Sequence, residues 1–267
     1  MSNPFLPVIN RLLPEPQSSL LNGIIFGYQA HFPEELYQAL IDTGTIHIIA
    51  LSGMNITILV ALTAKMTLFL GRKISSLLTI GLIALFVMLV GSSPTVVRAA
   101  IMGSMSLLAI YFGRQYQALL ALILTSLIML LFDFSYLSSI SFQLSFLATL
   151  GLILANRKSE RRDPFGHMEQ LIFAVRENFR LTLAAQIFTL PLILYYFHRV
   201  SLIAPIANLL IEWSILPIMV LGLSAAVFGL FWLPLGFIPA WLTWVPLTYL
   251  LSVVNFLSRV PGAAIRF

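Results

Sequence analysis

The chain has no cysteine among its 267 residues. This excludes disulfides, thiol nucleophiles and iron–sulfur ligation, and leaves the redox compartment unreadable. Charge is the second scarcity: Asp, Glu, Lys and Arg make up 9% of residues, against roughly 25% in soluble domains. With 59% of residues hydrophobic, a water-exposed globule is excluded and a membrane protein is expected. Catalytic signatures are missing as well. There is no G-x-x-x-x-G-K-S/T loop to cradle nucleotide phosphates and no H-E-x-x-H pair, and the four histidines are scattered. ATP-driven transport by this chain alone is excluded. No catalytic, cofactor-binding or metal-ligating residue is assigned, and an enzyme is the weaker class.

What is present is a series of uncharged runs, at 43–64, 74–97, 99–113, 115–132, 134–156, 181–198 and 213–258. A crossing helix needs about 20 mostly apolar residues, and the last run is long enough for two. The expected fold is all-α: a polytopic α-helical membrane protein of about eight spans, within a range of about seven to ten. The spans are placed near 46–70, 74–91, 95–112, 116–132, 136–155, 181–197, 205–231 and 236–257. Residues 1–44 are expected to form an external segment with short interfacial helices, one entered near Ser18 or Ser19 and one running from Pro33 to Gly44. Residues 45–258 form the transmembrane domain and 259–267 a short tail.

The chain carries 15 basic against 10 acidic side chains, and in membrane proteins such an excess belongs to cytoplasmic loops. Connections after the first, third and fifth spans hold Arg72 and Lys73, then Arg114, then Arg157, Lys158, Arg161 and Arg162; the alternate connections hold Arg199 alone. The odd connections are therefore expected in the cytoplasm and both termini outside. The second half of the 156–180 loop has the apolar spacing of a surface helix beside anionic lipid.

Polar groups at membrane depth mark either pathways or tight helix packing. In "TGTIHIIALSGMNITILV", His47, Ser52 and Asn55 fall on a broad polar face, and Gly53 could break the helix. The competing reading makes Ser52, Gly53 and Asn55 small or hydrogen-bonding residues that join two helices. Arg98, just inside a span opened by Pro94, must snorkel, pair with a carboxylate or meet an anion. Glu212 is the one acidic residue well inside an apolar stretch and the natural candidate for that pair. Gln143, Gln186 and Asn208 add amides that serve either packing or a polar conduit.

"TGTIHIIALSGMNITILV", "SSPTVVRAAIMG", "SFQLSFLATLGLI" and "QIFTLPLILYYFHRVSLIAPIANLLIEWSILP" follow one another as in the membrane competence domain of the ComEC family, which the chain resembles over nearly its whole length. The opening "LLPEPQSSLLNGIIFG" resembles the segment just ahead of that domain. The resemblance places the family's "SG" motif on Ser52 and Gly53 and its arginine on Arg98. It places "FQLSF" on Phe142 to Phe146 and later positions on Gln186, Pro191, Asn208 and Pro217. Asn55 stands where many relatives have His, which weakens proton or metal chemistry there. The oligonucleotide-binding-fold and metallo-β-lactamase-like domains of complete members have no counterpart in this stretch.

The resemblance implies a channel in the cytoplasmic (inner) membrane that passes one strand of DNA inward during natural transformation. The implied partners are single-stranded DNA, membrane lipid, a separate nuclease, an external DNA receptor and a cytoplasmic DNA translocase; a homo-oligomer is a further candidate. His47, Ser52, Gly53, Asn55, Arg98, Gln143, Gln186, Asn208 and Glu212 would then line one cavity. Two alternatives stay open. One is a secondary transporter of a small anion, anchored by Arg98 and coupled through Glu212; the other is a non-transporting remnant or assembly scaffold.

Overall fold

A computed structural model describes residues 3–28, 32–49, 53–156, 167–260 and 264–266. Among the described residues there are eleven α-helices. α1 (Phe5–Leu12), α2 (Gln17–Phe26) and α3 (Glu34–Asp42) precede a 3-10 turn at Ile46–Ile48. Then come α4 (Gly53–Thr67), α5 (Arg72–Val90), α6 (Pro94–Tyr111), α7 (Ala118–Phe132) and α8 (Ile140–Asn156). The last three are α9 (His167–Phe197), α10 (Ala204–Phe231) and α11 (Leu233–Ser258).

Local sequence explains most helix boundaries. Pro94 occupies the first turn of α6, where its missing N–H costs nothing. Glu34 and Glu35 sit in the first turn of α3, against the positive end of its dipole. Gly44, at φ +69°, turns the chain after α3. Asp133 ends α7 and caps the short 3-10 segment Phe134–Ser138 by accepting from the Ser135 N–H at 2.9 Å. Those bonds hold its exposed carboxyl below the usual carboxylate range.

The eight helices α4 to α11 stand where eight spans were expected. Six segments are long and apolar enough to cross a membrane: Gly53–Leu70, Arg72–Val90, Pro94–Tyr111, Val175–Phe197, Ala204–Phe231 and Leu233–Ser258. α7 and α8 are shorter apolar helices of 15 and 17 residues, reaching about 22 and 26 Å. A hydrocarbon core is about 30 Å thick, so these two span it only if the bilayer thins around them. Two boundaries differ from their expected places. Residues 46–48, expected to open the first span, form a 3-10 turn, and the described helix of that span runs from Gly53. The surface helix expected in the second half of the 156–180 loop is continuous with the next span, giving one helix of 31 residues.

The largest core lies between the N-terminal helices and the α10–α11 pair. α1 and α2 form an antiparallel hairpin: Phe5 stacks on Phe26 at 5.5 Å, and Asn22 donates to Asn10 at 2.7 Å. All ten residues of α2 are buried, whereas a helix resting on a membrane surface buries one face. The hairpin seats on glycines of the long helices. A Cβ at Gly222 would lie 2.5 Å from the Leu21 side chain, and one at Gly229 would lie 2.7 Å from Val8. At the other end of α10, Gly44 packs against Ala204 and Ser201. The described part of residues 1–44 therefore runs alongside the whole length of α10.

Smaller clusters join α4, α5 and α6 through Ile56, Phe86, Val96 and Ala99, and through Ile83, Ala100 and Leu107. The outer surface is apolar, with Phe69 and Met88 each 83% exposed, as lipid contact requires. β1 (Arg199–Ser201) pairs antiparallel with β2 (Ala264–Arg266), bringing the C-terminal residues to the α9–α10 connection.

Where α10 meets α11, a Cβ on Gly236 would fall 2.8 Å from the Gly229 Cα and 3.0 Å from the Ala225 carbonyl oxygen, both backbone atoms. Gly236→Ala is expected to destabilise the protein by about 1–3 kcal/mol. Gly81→Ala, with nothing within 4 Å of the added atom, should be neutral or slightly stabilising. Thermal unfolding in detergent checks both.

Candidate functional site

Among the described residues Arg98 is the buried cation. It lies one turn into α6 and is 7% exposed. Its Nη1 donates to the Ser145 carbonyl on α8, an acceptor that also receives the Thr149 hydroxyl at 2.9 Å. Its Nη2 faces Gly53 of α4, where a Cβ would lie 3.3 Å away. Its buried Nε has no partner among the described residues. Arg98 thus connects three helices, and α4 and α6 approach closely because Gly53 carries no side chain.

The expected carboxylate partner is elsewhere. Glu212 is exposed on α10, beside Trp213, whose ring packs on Tyr249 at 4.9 Å. Among the described residues the one ion pair is Arg180–Glu177, at 2.8 Å. Trp213 and Trp232 bound a stretch of α10 about 28 Å long, close to the hydrocarbon thickness, and both are largely exposed, as belt residues are. Glu212 adjoins one end of that stretch.

The other expected site residues have separate structural employments. Asn55 is 1% exposed and donates from Nδ2 to the Ile24 carbonyl at 2.6 Å. Ile24 lies in the last turn of α2, where a carbonyl has no acceptor role within the helix, so Asn55 caps α2 and fastens α4 to it. Gln143 donates to the Leu137 carbonyl at 2.7 Å, closing the 3-10 segment onto α8. His47 is exposed, with Nδ1 3.1 Å from the Gly44 carbonyl. Gln186 is half-buried on α9. Asn208 is half-buried on α10, its Oδ1 shielded and unpartnered among the described residues. Ser52 lies outside the described residues.

The structure therefore brings Gly53 and Arg98 together and assigns Asn55, Gln143 and Glu212 to different surroundings. Two cavities, of about 480 and 340 Å³, are lined by residues around Arg11 and Trp232 and around Arg114 and Gln117, and by none of the nine. A metal site is not formed: no group of three His, Cys, Asp or Glu occurs among the described residues.

Sequence reasoning passed over the amides of the N-terminal hairpin. Gln17 donates to the Thr248 hydroxyl of α11 at 3.2 Å, and Asn22 to Asn10. Their own oxygens, Gln17 Oε1 and Asn22 Oδ1, are buried and unpartnered among the described residues. The signal was an Asn inside "LLNGIIF", a polar residue in an apolar run.

A family model described as "Competence protein" matches residues 24–267. "ComE operon protein 3" of Bacillus subtilis (strain 168) is 29% identical over 244 residues, covering 87% of this chain and 30% of the relative. An "Uncharacterized protein" of Aquifex aeolicus (strain VF5) is 30% identical over 142 residues, covering 52% of this chain and 33% of the relative. The chain thus spans about a third of the length of these curated relatives. No solved structure matches significantly.

Replacing Asn55 by Leu leaves the Ile24 carbonyl without its side-chain donor in a dry interior. The expected loss of stability is about 1–3 kcal/mol, read as a lower thermal midpoint in detergent.

Proposed function

Since the chain belongs to the competence protein family, we propose that it is a membrane domain of DNA uptake that passes single-stranded DNA across the cytoplasmic membrane. The observation that carries this reading is the family match over residues 24–267, together with six helices long and apolar enough to cross a bilayer. The domain is a multi-pass, non-catalytic conduit. With no phosphate-cradling loop in its sequence, it draws its driving force from a cytoplasmic translocase, and degradation of the opposite strand falls to a separate nuclease.

Orientation follows from the basic loops. Arg72 and Lys73 open α5, and Arg114 follows α6. Lys73 lies 5.8 Å over the Tyr111 ring at the end of α6, so these cations share one end of the bundle, assigned to the cytoplasm. The α9–α10 connection and β2 then face outside. A small-anion transporter is less well supported, because Glu212, its coupling group, stands on the outer face of α10, away from Arg98.

Deletion of the coding sequence in its host is expected to reduce transformation by a chromosomal marker to background, with recovery on complementation. Unchanged transformation frequency contradicts the proposal.

A further inference from the structure

Between Asp42 and Asp133 the chain has no acidic residue, while Lys65, Arg72, Lys73, Arg98 and Arg114 all fall in that stretch. Helices α4 to α7 therefore carry cations with no carboxylate of their own. Among the described residues none is supplied from elsewhere, since the one ion pair is Arg180–Glu177. Lys65 in the last turn of α4, Arg72 and Lys73 at the start of α5, and Arg114 after α6 stand at the end of the bundle assigned to the cytoplasm. The missing counter-charge there belongs to the surroundings, and the anionic lipid of the inner leaflet supplies it.

One of these cations has a shaped groove beside it. α6 ends at Tyr111, Gly113 turns the chain at φ +64°, and the Arg114 N–H returns to the Ala109 carbonyl at 2.8 Å. The backbone then passes through Gln115 and Tyr116 to Gln117, the residue before α7. Beside this connection lies the cavity of about 340 Å³, walled by Met105, Leu108 and Phe112 on one side and Leu120 on the other. At its deep end the Thr125 hydroxyl of α7 donates to Met105 Sδ at 3.6 Å, joining the two helices.

The groove carries two chemistries in succession. Arg114, Gln115, Tyr116 and Gln117 give it an exposed polar head, and the exposed Leu108, Phe112 and Leu120 give it an apolar body. Exposed Leu124, Leu127 and Leu131 continue that body along α7, so the groove opens into the lipid-facing surface. Water suits the head and not the body; a bare acyl chain suits the body and leaves the guanidinium unpaired. A phospholipid meets both, since two phosphate oxygens fit a guanidinium side by side. A second cation stands behind the wall: Lys73 lies over the Tyr111 ring, which meets Phe112 edge-on at 5.1 Å. α7 has 15 residues, about 22 Å, so the leaflet must be drawn in around it, and a headgroup held on Arg114 does this at one end.

We propose that the groove between the last two turns of α6 and the first turn of α7 binds one anionic phospholipid of the cytoplasmic leaflet, with its phosphate on Arg114 and one acyl chain on the leucine wall. Such a site serves the fold in the membrane whatever the domain passes.

The purified full chain in detergent is titrated with phosphatidylglycerol, or with phosphatidylcholine of the same acyl chains, and the lipids retained per chain are counted by native mass spectrometry. One phosphatidylglycerol should bind ahead of phosphatidylcholine. Arg114 is exposed, so its replacement leaves the fold intact. Arg114→Gln should lower phosphatidylglycerol affinity about fivefold and leave phosphatidylcholine affinity unchanged. Lys65→Gln, at the same end but outside the groove, should change neither. Ala109→Leu, which fills the groove from a half-buried position, should weaken both lipids. Inorganic phosphate at matched ionic strength should not displace the lipid. Equal wild-type affinity for the two lipids, equal losses in Arg114→Gln and Lys65→Gln, or displacement by free phosphate overturns the site. A dimer that retains no lipid and dissociates in Ala109→Leu overturns it in favour of self-association through this face.

Discussion

Lipid tails offer no hydrogen bonds, so every polar group carried into the bilayer must find its partner within the protein. That constraint organises this molecule. Most hydroxyls described inside the helices turn back on their own backbone: Thr57 to Gly53, Thr79 to Ser75, Ser126 to Leu122, Thr189 to Ala185, Thr243 to Pro239, each between 2.7 and 3.0 Å. Asn55 and Gln143 reach carbonyls at the ends of other segments. Arg98 is the buried cation among the described residues, with Nη1 on the Ser145 carbonyl and Nε, like Gln17 Oε1, Asn22 Oδ1 and Asn208 Oδ1, without a partner among them.

The position of that guanidinium depends on a chain of contacts beginning far away in sequence. Gly222 on α10 lets Leu21 and Ile25 approach, which seats α2 in the core. The last turn of α2 presents the Ile24 carbonyl to Asn55. Asn55 fastens α4 to α2, and Gly53, two residues earlier, meets the guanidinium. The N-terminal hairpin is thus connected through α4 to the cation on α6. Its full burial anchors α4, since Met54 and Ile58 also pack on that core.

Much of this was legible in the chain. Uncharged runs located the eight helices α4 to α11, because a charge inside lipid is too costly to leave unplaced, and Pro94 and the Glu34–Glu35 pair marked helix starts through backbone chemistry. Arg98 stood out for the same electrostatic reason. The burial of α2 was not legible: a helix entered near Ser18 or Ser19 was expected at the membrane surface, and glycines such as Gly222 on α10 create the room that encloses it. Nor was the direction of Glu212. A residue's depth follows from counting along a helix, but which side faces lipid depends on neighbours distant in sequence. The continuity of α9 escaped for a related reason, since the charged second half of 156–180 reads as a separate surface helix, whereas Arg180 bonds both Glu177 and the Ala155 carbonyl.

The absence of cysteine makes the central claim directly measurable, because single cysteines can be introduced without background. Arg98→Cys and Asn55→Cys, each in an otherwise native chain in membranes, are exposed to a small, negatively charged thiol reagent that does not cross lipid. The account predicts modification at position 98, where removing the guanidinium leaves a space beside Gly53 that opens to the conduit, and none at position 55, which is sealed against α2. Modification at 55 with none at 98 would contradict it.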